Sequence, residues 1–171
     1  SEEETLDELN RENEELLRRS KERLDRSHEK LKKILDDISE RVKELLKRAE
    51  KLLRDENVDE KLKKEFDRRL KELRDKLRRL EEEVKKYLEE SKREVRKLEE
   101  TNRRMDEETR RRRDDKDRVS DRIRRLLEEH ERVVRELLES NDRMAERLRR
   151  VAEELVKEIK KELDDLRRRT T

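Results

Sequence analysis

The sequence contains no glycine, proline, cysteine or tryptophan, and only one tyrosine and one phenylalanine occur among its 171 residues. In average proteins glycine and proline together make up roughly 12% of residues, so about 20 of them would be expected in a chain of this length. Their absence means that every turn is built from other residues. Without cysteine no disulfide can form, and the redox compartment cannot be inferred.

The chain also lacks a large net charge and a long apolar run. Its 54 basic and 52 acidic residues leave a net charge of +2, which gives no strong field to attract nucleic acid or an acidic membrane. No apolar run approaches the roughly 18 residues of a membrane span, and no signal peptide is visible. We therefore expect no nucleic-acid partner and no membrane partner, and we expect a soluble protein.

Charged residues make up 62% of the chain and apolar residues 27%. Such a composition can indicate disorder. The apolar residues of the stretch 31–53, however, fall three or four apart without a break, and the same spacing continues along the chain. This spacing places apolar side chains on one face of a helix, and a disordered chain has no reason to keep it. The pattern therefore predicts amphipathic helices.

Two short breaks in the pattern divide the chain into predicted helices of about 50–55 residues, at 2–54, 60–112 and 118–168. Equivalent apolar positions such as Leu6 and Leu24 recur eighteen residues apart, which is five turns of a straight helix rather than a supercoiling heptad. A short break returns each helix antiparallel to the one before. We therefore predict an all-α fold, an elongated up-down-up three-helix bundle with nearly straight helices, in a single domain of residues 1–171.

The second break carries the run RRRRDDKD, residues 110–117. Four consecutive arginines could contact nucleic acid. A simpler interpretation is that cations at the end of one helix and aspartates at the start of the next each match the local helix dipole. We favour the helix-end interpretation.

Polar side chains interrupt the apolar stripes, and the antiparallel register aligns them across the helices. They are Asn13, Ser20, Ser27, His28, Tyr87, Ser91, Thr101, Asn102, Thr109, His130 and Asn141. The predicted layers are Thr109 with Thr5 and Ser120; Asn13 with Thr101 and Asn102, and His130 one turn away; Ser20 with Ser91; and Ser27 and His28 with Tyr87, Ser140 and Asn141. A buried amide without a partner costs about 1–3 kcal/mol, so the alignment predicts structural networks of hydrogen bonds. The other half of the bundle is predicted to have an apolar core.

The two histidines raise the alternatives of a metal site and a catalytic site. On the predicted register His28 and His130 lie roughly 16 Å apart along the axis, too far to share an ion, and the Glu-x-x-His spacing of di-metal bundles is absent. Ser27 and His28 adjoin Asp25, but adjacent residues of a helix diverge by about 100°, which does not suit a catalytic triad. We predict no metal, no cofactor, no small-molecule substrate and no enzyme. A separate hypothesis is that protonation of the histidines at mild acidity loosens the networks.

The apolar stripes, the Glu, Lys, Arg and Asp surfaces, and the absence of cysteine and glycine resemble computationally designed helical bundles with straight helices and buried hydrogen-bond networks. Two sets of inward polar residues carry the same resemblance: Asn13, Thr101, Asn102 and His130, and Ser27, His28, Tyr87 and Asn141. The resemblance covers the whole chain, although turns without glycine depart from that class. It implies networks that set helix pairing and register, in an artificial structural scaffold with no natural biochemical activity. With Ser1 rather than Met at the start, we expect a soluble recombinant protein, expressed in the cytoplasm, with no natural localisation.

Natural alternatives fit less well, because spectrin-like repeats usually carry tryptophan and coiled-coil rods keep a heptad. The apolar stripes are about 100–140° wide, which suits either a closed three-helix core or an open groove. The chain therefore needs no partner, or it is one chain of a designed heterodimer or oligomer that accepts a further helix from a partner chain. The sequence does not separate these two interpretations.

Overall fold

A computed structural model of the chain describes residues 2–55 and 57–170, with side chains from residue 5 onward. These residues form three helices and no strand: α1 (Glu2–Leu53), α2 (Glu60–Arg111) and α3 (Lys116–Thr170). The predicted all-α, three-helix fold is confirmed, and each predicted helix end lies within two residues of the observed one. Ser1, Glu56 and Thr171, which the predicted domain includes, lie outside the described residues.

The turn between α1 and α2 is built without glycine. The backbone N–H of Val58 donates to the carbonyl oxygen of Asp55 at 3.2 Å, which closes a four-residue turn. The carbonyl of Asp59 then accepts the first backbone bond of α2, from Lys63 at 2.9 Å, so Asp59 is the N-cap residue. Val58 is only 6% exposed, so the turn is also held by an apolar side chain.

The turn between α2 and α3 repeats this arrangement. Asp115 N–H donates to the carbonyl oxygen of Arg112 at 3.2 Å, and the Asp115 carbonyl accepts the first bond of α3, from Val119 at 3.1 Å. Arg110 and Arg111 occupy the last turn of α2, where cations interact favourably with the helix dipole. The basic run therefore lies where the helix-end interpretation predicts.

The chain divides into two compact units, each of which contains one segment of every helix. The first unit comprises Ser1–Glu29 and Tyr87–Asp142, and the second unit comprises Lys30–Lys86 and Arg143–Thr171. The single domain over residues 1–171 stays a prediction.

In the first unit the inner faces of the helices form two apolar clusters. One contains Leu24, Val95, Leu98 and Val134, and the other contains Leu6, Val119 and Ile123. Asn13 of α1 contacts Asn102 of α2, and His28, later in α1, contacts Ser91, earlier in α2. The α1 and α2 segments are therefore antiparallel in this unit.

In the second unit a larger cluster fills the core: Val42, Leu45, Leu46, Ala49, Leu53, Val58, Phe66, Leu70, Leu73, Leu77, Leu155, Val156, Ile159, Leu163 and Leu166. Among its described residues no polar side chain is buried, so the predicted apolar half is confirmed. Ion pairs show antiparallel neighbours on both sides of α2: Lys43 with Glu81 and Glu50 with Arg74 towards α1, and Arg69 with Glu162 and Glu83 with Arg147 towards α3. The segments therefore run up, down and up.

None of the helices formed by the described residues combines the length and the apolar character that crossing a membrane requires.

Candidate functional site

All buried polar side chains of the described residues lie in the first unit. They are Asn13, Ser20, His28, Ser91, Asn102, Thr109, His130 and Asn141. Because polar groups cost free energy when they are buried without partners, these positions are the candidate site of the molecule. All eight are among the polar positions that the sequence predicts to face inward.

A hydrogen-bonded set links the three helices of the first unit, and we call it the Tyr87 set. The hydroxyl of Tyr87 on α2 donates to Asn141 Oδ1 on α3 at 2.6 Å, and the Asn141 amide nitrogen donates to Ser27 Oγ on α1 at 3.0 Å. The Tyr87 oxygen lies 2.7 Å from Ser140 Oγ. Since the phenol has a single proton, the Ser140 hydroxyl donates to it. Both polar atoms of the Asn141 amide are thus satisfied.

The Asn13 and Asn102 side chains form a second contact, between α1 and α2. The amide nitrogen of Asn13 donates to Asn102 Oδ1, and the two side chains are 0% and 6% exposed. Asn13 Oδ1 has no partner among the described residues. The structure therefore brings together this part of the predicted layer, through one direct hydrogen bond.

Thr101 does not belong to that layer, contrary to the prediction. Its side chain is exposed, and its hydroxyl donates to the carbonyl oxygen of Lys97 in its own helix at 2.9 Å. The reason is geometric: Thr101 precedes Asn102 by one residue, and adjacent helical residues point about 100° apart. Only one of the two can face Asn13.

His28 pairs with Ser91 rather than with the Tyr87 set. The distance between His28 Nε2 and Ser91 Oγ is 2.7 Å, and both side chains are buried. The prediction had placed Ser91 opposite Ser20, level with it along the axis. Helical side chains tilt towards the N-terminus of their own helix, so on antiparallel helices they meet residues displaced from the level of their Cα atoms. Ser20 is buried, but Ser91 contacts His28.

Within the part of the chain that the structure describes, the other ring nitrogen of His28, Nδ1, is buried without a hydrogen-bond partner. Burial lowers the pKa of His28, the nearby Lys92 charge lowers it further, and Asp25 acts in the opposite direction. No carboxylate therefore orients the His28 ring against Ser91, and the Ser91 hydroxyl is itself buried. Among the described residues no third member completes the pair as a catalytic triad.

His130 on α3 is 2% exposed, and neither of its ring nitrogens has a hydrogen-bond partner among the described residues. Burial lowers the pKa of His130, and the Glu129 charge acts in the opposite direction. The sequence predicts His130 one turn away from the layer of Asn13 and Asn102, but His130 forms no hydrogen bond with either described side chain. Because a charged imidazole is more costly to bury than a neutral one, His130 is neutral at pH 7.

Thr109 is buried, as predicted for an end layer, but its hydroxyl donates within α2 to the Met105 carbonyl oxygen at 2.8 Å. Of its predicted companions, Thr5 is exposed and Ser120 is half-buried. The hydroxyl is therefore satisfied without a contact between helices.

A carboxyl that was not predicted to face inward, Asp106 on α2, is half-buried beside Glu14 of α1. Burial is the main cause that raises the pKa of Asp106, and the charge of Glu14 and a hydrogen bond with it raise the pKa further, against Arg110. A signal was present, because Asp106 follows Asn102 by four residues and so lies on the same helix face. Charged residues had been assigned to the surface throughout.

Neutralising Asp106 is expected to stabilise the protein. At pH 7 the Asp106→Asn variant should melt about 1–2 °C higher, because an ionised carboxyl next to Glu14 is removed. A raised folded pKa stabilises the fold below the ordinary pKa of 3.8, and this contribution is lost as the pH rises through the raised pKa. The increase in melting temperature should therefore be smaller at acidic pH. Thermal unfolding followed by circular dichroism tests this, with the exposed Asp36→Asn as control; equal gains in both variants would contradict it.

The two histidines predict a stability that falls on mild acidification. Both have folded pKa values below the ordinary 6.5, so the unfolded chain binds more protons once the pH drops through that value. The contribution of the two neutral histidines to stability is fully present above the ordinary pKa. It is lost as the pH falls towards the lowered pKa of the folded state. Urea unfolding at about pH 7.5 and about pH 5 should show a lower midpoint in acid, and a smaller difference for His130→Leu. A midpoint that does not change in this window would contradict the prediction.

No group of three or more His, Cys, Asp or Glu side chains within residues 2–55 and 57–170 is arranged to hold a metal ion. What the site provides is a set of neutral hydrogen-bonding groups between helices, with two neutral imidazoles. No protein-family model, no curated protein and no solved structure matches the chain.

Proposed function

We propose that the protein is an artificial structural scaffold, without natural biochemical activity, whose buried polar contacts specify how its helices pair. The observation that carries this proposal is the Tyr87 set, in which hydrogen bonds run from α1 to α3 and from α3 to α2. A set that spans three helices is satisfied in one register only. Its role is therefore to select one arrangement.

The energetic argument rests on what a displaced register would do. A slip of one helix by one turn would separate Asn141 from Ser27 or from Tyr87, and an unsatisfied buried polar group costs about 1–3 kcal/mol. An apolar core is more permissive, because Leu, Ile and Val side chains can repack in a shifted register. The polar contacts thus add selectivity that apolar burial alone does not supply.

An artificial origin is supported by several observations together. The chain has no glycine or proline, 62% of its residues are charged, and the helices contain 52 to 55 residues each. The mean helix in globular proteins has about 11–12 residues. We further propose a soluble recombinant protein that needs no partner, no cofactor and no substrate.

The experiment removes the polar contacts while keeping the core volume. A variant with Asn13→Leu, Asn102→Leu, Tyr87→Phe, Asn141→Leu and Ser27→Ala should retain equal or higher thermal stability, because Asn141 and both of its partners are replaced together and Ser27 is not left buried without one. Its helices should no longer pair in one arrangement only. Light scattering should then report mixed masses, or amide NMR spectra should show multiple peaks.

The control is Thr101→Val, which alters a hydroxyl that bonds only within its own helix. It should leave the mass and the number of NMR peaks unchanged. If the polar-to-apolar variant keeps one mass and one set of peaks, the polar contacts do not select the arrangement, and the proposed function is wrong.

A further inference from the structure

A groove of about 500 Å³ lies in the second unit between α1 and α3. Its apolar lining consists of Ile34, Ile38, Ala152 and Val156. Ligand sites in proteins commonly measure about 300–1,000 Å³ and are lined mainly by apolar side chains. The groove thus has the size and the lining of a site for one small molecule.

The sequence explains why this place is open. Ala152 has only a methyl group where many inward positions of α3 carry Leu or Ile, and it is half-buried. Ile34 and Ile38 on α1 are also half-buried. A short side chain facing two partly covered isoleucines leaves apolar surface accessible, and a larger residue at position 152 would fill the space.

Six charged side chains surround the apolar lining: the cations Arg41, Arg149, Lys157 and Lys160, and the acids Asp37 and Glu153. The rim therefore has two more positive than negative charges. None of these four cations makes an ion pair with any residue that the structure describes, whereas many other cations of the chain do. The rim is thus electrostatically complementary to an anion.

The length of the groove selects among possible occupants. Its lining extends over residues 149–160 of α3, which at 1.5 Å per residue is about 16 Å. A stable protein interface usually buries about 800 Å² on each partner, which a groove of this extent does not offer to a docking helix. One alkyl chain of medium length, with an anionic head group at the rim, matches both the length and the chemistry.

We propose that this groove binds a monomeric amphipathic anion, namely a carboxylate or sulfate with one medium-length alkyl chain. The alkyl chain lies on the apolar lining and gains free energy by leaving water. The head group lies among the unpaired cations of the rim. This site is in the second unit and is independent of the polar contacts on which the proposed function rests.

Isothermal titration calorimetry with dodecanoate, kept below its micelle concentration, tests the proposal on the full chain. We expect saturable binding at one site, weakened by added salt, and binding of dodecyltrimethylammonium at least about fivefold weaker because its charge is reversed. Ala152→Leu fills the groove and should weaken dodecanoate binding at least about tenfold, the effect of losing two methylene contacts. Circular dichroism checks that this variant keeps its helices.

A second pair of variants leaves the apolar lining unchanged. Arg149→Gln removes a rim cation and should weaken binding about two- to fivefold, the range of an exposed ion pair. Arg150→Gln removes the exposed neighbouring cation outside the groove and should leave the affinity unchanged. The proposal is overturned if the parent shows no saturable binding, if the ammonium surfactant binds equally well, or if the two arginine variants lose affinity equally.

Discussion

Replacing Phe66 by alanine is expected to lower the free energy of unfolding by about 3–5 kcal/mol. Phe66 is 1% exposed and belongs to the apolar cluster of the second unit. It is the only phenylalanine of the chain, and no other aromatic ring lies in that cluster. Truncation removes the apolar burial of the ring and leaves a cavity that the surrounding closely packed side chains fill only partly.

The surroundings of Phe66 add a smaller electrostatic contribution. The guanidinium carbon of Arg69 lies 5.3 Å from the ring centroid and that of Arg169 lies at 6.0 Å, within the range of cation–π contacts. Ion pairs hold Arg69 to Glu65 at 2.6 Å and to Glu162 at 3.2 Å. The ring therefore also positions two cations at the edge of the core.

Urea unfolding monitored by circular dichroism measures the effect, and Phe66→Leu serves as the matched control. Leucine keeps most of the volume and loses only the aromatic contacts, so its cost should be about 1 kcal/mol. A loss below about 1 kcal/mol for Phe66→Ala would show that the cluster collapses around the truncated side chain. Equal losses in both variants would instead assign the effect to the ring contacts.

Replacing Asn141 by leucine is expected to lower the free energy of unfolding by about 1–3 kcal/mol. Asn141 is 1% exposed, and its amide both accepts from Tyr87 and donates to Ser27. Leucine has a similar size but no polar atoms, so both partners lose a hydrogen bond at once. The loss should exceed that of a variant in which only one of the two contacts is removed.

Tyr87→Phe is that variant, because it keeps the ring and removes only the hydroxyl. A double-mutant cycle with Tyr87→Phe and Asn141→Leu should give a coupling free energy of about 1 kcal/mol, since either substitution removes the hydrogen bond between the Tyr87 hydroxyl and Asn141. Chemical denaturation of the parent, the two single variants and the double variant supplies the four values. Additive losses would show that the 2.6 Å contact contributes nothing to stability.

The helices were predictable from the sequence because many residues along each helix contribute to the same apolar spacing. Apolar residues at a sustained helical spacing, with no glycine or proline to interrupt it, predict three helices whose ends depend on only two breaks. The aspartates of the second break were also predicted to lie at a helix start, and Asp115 occupies that N-cap position.

The contacts of individual polar side chains were less predictable. The contact of Asn141 with Ser27 and Tyr87 followed from register, because α1 and α3 run in the same direction and Tyr87 is long enough to reach across. The Ser20–Ser91 pairing was wrong, because side chains on antiparallel helices tilt in opposite directions and meet away from the level of their Cα atoms. The placement of Thr101 was wrong for a different reason, because adjacent residues of a helix point about 100° apart and Asn102, not Thr101, lies on the side that faces Asn13.

Two features were not predicted from the spacing. Asp106 shares a helix face with Asn102, but a charged residue on a helix is ordinarily taken for a surface residue, so its burial beside Glu14 was not expected. The groove at Ala152 depends on the volume that neighbouring side chains leave unfilled. Periodicity states which face a residue occupies, but it carries no information on how completely that face is covered.

The position of Tyr87 also determines what optical spectroscopy can report. With no tryptophan and a single tyrosine, nearly all near-ultraviolet absorbance and emission come from one phenol, which lies in the first unit and is hydrogen-bonded to Ser140 and Asn141. The second unit contributes only the weak chromophore Phe66. Tyrosine emission therefore follows the opening of one unit, whereas far-ultraviolet circular dichroism sums the helices of both. Unfolding curves from the two signals will coincide only if the whole chain melts in one step, so the native sequence contains its own probe of cooperativity.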